Sequence, residues 1–86
     1  MYEIFYAKSI KKDIQNLKTV KLDKKAHALV ELLKENPYQN PPPYEKLVGD
    51  MHEYYSRRIN IQHRLVYQVI EERKAIKILS MWSHYE

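Results

Sequence analysis

Residues 36–43 read Asn-Pro-Tyr-Gln-Asn-Pro-Pro-Pro, and no other feature limits the fold of this chain as strongly. Each proline fixes φ near −65° and removes a backbone donor, so the run can be neither helix interior nor central strand. The residue before each proline is driven toward extended geometry as well. All four prolines of the chain fall here. The run divides a half with helical periodicity from a half rich in strand signals. With 86 residues in total, neither half is long enough to bury a core alone. The connector therefore joins two parts of one domain, residues 1–86.

Ahead of the connector, residues 2–6 are bulky and alternate, which predicts a strand. Ser9 is placed to cap a helix in which Ile10, Ile14 and Leu17 recur at helical spacing. Asp23 is placed to cap a second helix, striped by Ala26, Leu29, Val30 and Leu33 and ending near Asn36. Lys34 sits near its C-terminal end, where a cation complements the helix dipole. Beyond the connector, residues 44–48, 54–61, 64–71 and 75–83 read as strands. Gly49-Asp50 marks a turn and residues 71–74 a polar hairpin link.

This order predicts an α+β fold, with an N-terminal strand and a two-helix hairpin packed on a mainly antiparallel twisted sheet. The helices cover one face and leave the other open. Arg57, Arg58, Arg64 and Gln68, polar residues inside strands, are the candidates to project from that open face. Neighbours on a strand face opposite ways, so Arg57 and Arg58 cannot serve the same site.

Composition narrows the class. The chain has no cysteine, hence no disulfide and no thiolate metal site, which fits a reducing cytoplasm. No apolar run approaches the roughly 20 residues of a membrane span, and the start lacks a signal-peptide layout. The expected setting is cytoplasmic, with no membrane partner. The formal charge is +4, and its placement is uneven. Lys8, Lys11, Lys12, Lys18, Lys21, Lys24 and Lys25 face only Asp13 and Asp23 in the same stretch. Such a surface attracts phosphate backbones, although a lysine-rich helix pair can equally be ordinary solvated surface.

Chemistry must come from side chains. His27, His52, His63 and His84 are scattered without metal-ligand spacing, a single glycine excludes a phosphate-cradling loop, and no serine has a nucleophile-elbow context. RNA is a substrate that such a chain can cut, because the ribose 2′-hydroxyl is an internal nucleophile held beside its phosphate. What is needed is a base for that hydroxyl, cations for the developing phosphorane charge, and an acid for the leaving 5′-oxygen. Glu45 can be the base, Arg64 and Arg58 the cations, and His84 the acid. The competing reading is that strand arginines pair with acids such as Glu45, Glu53 or Glu71, and that His84 is a frayed bystander.

The residues Tyr44-Glu45-Lys46-Leu47, Tyr54-Tyr55-Ser56-Arg57-Arg58-Ile59, His63-Arg64-Leu65-Val66-Tyr67 and the final His84-Tyr85 together resemble the signature of the YoeB/Txe family of the RelE superfamily. The close match runs from about Pro42 to Tyr85. The resemblance implies a toxin of a type II toxin–antitoxin system: a metal-independent, cofactor-free endoribonuclease that cleaves messenger RNA in the ribosomal A site and inhibits translation. It implies a YefM-like antitoxin as partner, and homodimers as an accessible state. Carried over residue by residue, Glu45 matches the general base, Arg64 the main phosphate-stabilising arginine, and Arg58 a second one. His84 matches the general acid and Tyr85 the tyrosine that positions substrate. Arg57 should face away from the site.

There is one departure. The family often has a lysine three residues after the glutamate, where this chain has Val48. Lys46 is the nearby substitute as a substrate-binding cation. Glu86, beyond His84-Tyr85, adds a carboxylate near the acid. A different class stays open beside the nuclease: a non-catalytic, toxin-like binding protein of the ParE type, or a binder of antitoxin or nucleic acid. A generic RNA-binding module stacking bases on Tyr54, Tyr55 and Tyr67 is a third reading.

Overall fold

A computed structural model describes residues 1–47 and 53–84, the last two by backbone alone. The elements follow in the order β1 (Glu3–Tyr6), α1 (Ile10–Thr19), α2 (Asp23–Glu35), β2 (Glu45–Lys46), β3 (Glu53–Arg58), β4 (His63–Ile70), a 3-10 turn (Glu71–Arg73) and β5 (Ala75–His84). The strands form one sheet in the order β1-β5-β4-β3-β2. β1 runs parallel to β5, and every other pairing is antiparallel. The fold is α+β, as the order of sequence patterns requires.

The helices form where apolar residues recur on one side. Ile10 and Leu17 of α1 are buried, with Ile14 at their margin. Ala26, Leu29, Val30 and Leu33 of α2 are all buried. These stripes meet Tyr55, Leu65, Tyr67, Val69, Ile76, Ile78 and Met81 from the sheet. One face of the sheet is thereby covered and the core lies between the two layers.

Local details differ from the sequence reading. Leu22, not Asp23, precedes α2, and Asp23 is its first residue, where its charge still faces the positive end of the helix. Ser9 stands at the cap position of α1 without a side-chain cap bond. The helix is entered instead through a turn in which the Ile10 N–H donates to the Ala7 carbonyl at 3.1 Å. The second strand is only Glu45–Lys46. The link after β4 is a 3-10 turn closed by Lys74 at φ 49°, in the left-handed region. The expected turn at Gly49-Asp50 and the replacement at Val48 lie outside the described residues, as do Tyr85 and Glu86.

Of the strand polar residues named for the open face, Arg57 does not project there, in keeping with the alternation that sets it opposite Arg58. It points into the covered face and is 1% exposed. Its Nε donates to the Tyr67 hydroxyl at 3.1 Å and one Nη to the Pro37 carbonyl at 2.9 Å. The other Nη donates to the Pro42 carbonyl, and the guanidinium lies 4.8 Å from the centre of the Tyr44 ring. A buried charge is tolerated because its donors are used and an aromatic face covers it. The side chain so ties both ends of the prolyl connector to the sheet.

Candidate functional site

The open face is built by register. Glu45 pairs with Ser56 across β2 and β3, and Arg58 pairs with Arg64 across β3 and β4. Directly opposed residues in antiparallel strands share a face, and residues two apart on one strand do too. Ser56 and Arg58 are two apart, so Glu45, Ser56, Arg58 and Arg64 come to one side, away from the helices. Gln68, paired with Tyr54, lies further along the same face of β4.

These four residues, with Pro43 and Tyr44, line one cavity of about 70 Å³. Arg64 forms its floor. It is 6% exposed, and its Nη1 donates to the Ser56 hydroxyl at 2.8 Å. Both Nη atoms face Glu45, each 3.4 Å from a different carboxylate oxygen. The Glu45 side chain is 58% exposed, so the carboxylate opens to solvent while the guanidinium is held rigidly beneath it. Arg58 is exposed at the rim. An anion entering here meets two guanidinium groups whose forked donors suit phosphate oxygens. It also meets a carboxylate able to accept a proton.

Two larger cavities have other chemistry. One of about 620 Å³ is lined by Tyr38, Glu53, Tyr55, Gln68, Glu71 and Glu72, among others, and its carboxylates would repel a phosphate. In its walls the Tyr55 hydroxyl donates to Glu53 at 2.7 Å. That bond, followed by Lys46, holds the Glu53 carboxyl below its usual range. Burial, then the same bond, pushes the Tyr55 phenol up. The other cavity, about 330 Å³, is a largely apolar groove between the helices and Met81.

The remaining expected site residues are placed as follows. Lys46 is not brought into the Glu45 cavity. It opposes Tyr55, whose ring belongs to the covered face, and its Nζ lies 3.1 Å from Glu53. Adjacent residues on a strand diverge, and Lys46 follows Glu45 directly. Arg57 lies on the covered side, as its neighbour relation to Arg58 requires. The backbone of His84 pairs with His63, and that of Ser83 with Arg64, so the end of β5 runs beside the strand that carries Arg64. The His84 side chain and Tyr85 lie outside the described residues. Ser56 is the residue that sequence reasoning passed over. Its spacing of two from Arg58 was the available signal.

The comparisons with known proteins agree with this fold. Residues 7–85 match the family model described as YoeB-like toxin of bacterial type II toxin–antitoxin system. Toxin YoeB of Synechocystis is 33% identical over 66 residues, covering 77% of this chain and 74% of that protein. A YoeB-YefM complex from Staphylococcus aureus contains a chain 33% identical, with a TM-score of 0.77 and 99% of each chain covered. A YoeB/ParE toxin from Agrobacterium tumefaciens is 27% identical, with a TM-score of 0.82, covering 96% of this chain and 99% of that one. Pattern, register and relatedness converge, and the chain belongs to the YoeB-like toxins of bacterial type II toxin–antitoxin systems.

Proposed function

We propose that this toxin is a ribosome-dependent endoribonuclease that cleaves messenger RNA in the A site by metal-independent attack of the 2′-hydroxyl. The observation that supports the reading is the meeting of Glu45, Ser56, Arg58 and Arg64 around one cavity on the uncovered face.

Glu45 accepts the 2′-hydroxyl proton as the 2′-oxygen attacks the adjacent phosphorus. Its carboxylate is solvent-facing but anchored by Arg64, so it is oriented without being consumed in a closed ion pair. Arg64, fixed by Ser56, and Arg58 at the rim stabilise the charge that grows on the phosphorane oxygens. The bond from phosphorus to the 5′-oxygen then breaks, and His84 supplies the proton that the leaving oxygen takes. Tyr85 positions the substrate. The products are a 2′,3′-cyclic phosphate and a 5′-hydroxyl. The roles of His84 and Tyr85 come from the family resemblance. A YefM-like antitoxin is the partner that holds the activity in check, the toxin acts in the cytoplasm, and homodimer formation belongs to the same reading.

The test is primer extension on ribosome-bound messenger with wild type, Arg64→Ala and His84→Ala. Wild type is expected to cut within the A-site codon, and each variant to lose about 100- to 1000-fold in rate. Intact messenger with wild-type protein that still binds its antitoxin would overturn the nuclease reading in favour of a non-catalytic toxin of the ParE kind.

A further inference from the structure

The ladder between β4 and β5 slips twice before its end. From the pair Tyr67–Ile78 to the pair Arg64–Ser83, β4 advances three residues while β5 spends five. Met81 sits inside the slipped stretch, and its N–H donates to Asp13 of α1 at 2.9 Å. Past the slips the ladder resumes for two pairs, Arg64–Ser83 and His63–His84. A bulge loosens local register and bends the strand, and among the described residues only these two pairs lie beyond it.

A side-chain contact spans that stretch. The imidazole of His63 is stacked on the Trp82 indole, with ring centres 4.0 Å apart and planes 18° apart. His63 is 4% exposed. It precedes Arg64 directly, and Trp82 stands two residues before His84. The two rings therefore join the strand that carries the main phosphate-binding arginine to the strand end that carries the acid.

We infer that His63 is a positioning residue, whose stack on Trp82 sets the register of the last residues of β5 against β4. The role calls for a flat ring in a buried slot, not for a titrating group. Its catalytic consequence rests on the ribonuclease reading, whereas its structural consequence does not. A slip at the end of β5 moves His84 relative to Arg64 by a residue's length. Misplacement of a catalytic group by about 1 Å can already cost about 100-fold in rate.

The experiment uses the full chain as wild type, His63→Phe and His63→Ala. Cleavage of ribosome-bound messenger is measured against ribosome concentration and pH, and 15N relaxation is recorded at the Ser83 and His84 amides. His63→Phe, which keeps a ring in the slot, is expected to stay within about twofold of wild type with the same pH profile. His63→Ala is expected to lower the maximal rate about 100-fold at an unchanged half-saturating concentration. Only in that variant should the two amides relax like a frayed end. A phenylalanine variant as slow as the alanine one would overturn the inference, since the imidazole itself would then be required. So would an alanine variant with wild-type rate, or with amides as ordered as in wild type. Where His63→Ala does not fold, the rate of His63→Phe decides alone: retained activity supports the inference and lost activity overturns it. If wild type itself leaves messenger uncut, the nuclease reading fails, and the relaxation data still decide the positioning role.

Discussion

Arg57 and Arg58 stand side by side in the sequence and do opposite work. Arg57 spends its donors on two proline carbonyls and a tyrosine hydroxyl in the interior, while Arg58 reaches solvent at the rim of the cavity. Arg64 lies between these extremes, nearly buried yet facing an exposed carboxylate. An ion pair with one solvent-facing partner adds only about 0–1 kcal/mol to stability. Arg64→Ala also gives up the buried bond to Ser56, worth about 1.5–3 kcal/mol, so it is expected to unfold at a moderately lower urea concentration than wild type while its cleavage rate collapses. A large loss of stability without loss of activity would show that the pair is architectural. Ser56→Ala probes the support beneath the arginine. Losing one hydrogen bond to a charged group costs about 1.5–3 kcal/mol, and if that support is felt in the transition state, cleavage should slow about 10- to 100-fold. An unchanged rate in a primer-extension time course would remove Ser56 from the site.

Among the elements, the prolyl connector shows why a loop in a small protein can be as well fixed as a strand. Proline lacks the donors that would tie it to a sheet, so the connector is held through its carbonyls, and Arg57 supplies the donors for two of them. Arg57→Ala should destabilise the protein by about 3–5 kcal/mol, combining unsatisfied acceptors with a cavity under the Tyr44 ring. Arg57→Lys should not restore the midpoint of urea unfolding, because a single ammonium cannot span the acceptors that the guanidinium fork reaches. A lysine variant of wild-type stability would sink this account. The helices were legible from sequence because Ala26, Leu29, Val30 and Leu33 repeat at the period of one buried face, and all four are buried. Strand alternation likewise separated Arg57 from Arg58. The same alternation sets Lys46 opposite to its neighbour Glu45, a signal that assigning both to one site passed over. What alternation could not reveal were the slips before Ser83, in the stretch where the Met81 N–H donates to Asp13 of α1. Such features are decided by tertiary contacts and leave no local pattern.

For the molecule as a whole, the covered face and the open face divide the labour, and the parts distant in sequence are closed up at a point remote from the cavity. Glu71, in the turn after β4, accepts the Tyr38 hydroxyl at 2.6 Å and the Tyr2 hydroxyl at 2.9 Å. The same residue accepts the Lys74 ammonium at 2.9 Å. The start of the chain, the connector and the turn before β5 thus converge on one carboxylate. The Tyr38 bond, then those from Lys74 and Tyr2, draws the Glu71 carboxyl down to about 2. The folded state then binds this proton less readily than the unfolded chain, in which the carboxyl titrates at its ordinary value of 4.5. Stability from Glu71 is accordingly complete above that ordinary value and is lost as pH falls through it toward about 2. Melting temperature should decline across this window in the wild type. In Glu71→Gln it should start lower at neutral pH and decline less steeply on acidification, while cleavage at neutral pH stays near wild type because the clasp is far from Arg64. A Glu71→Gln melting curve that tracks wild type in parallel from pH 7 to pH 2 would show that the three partners draw no net stability from the charge they share.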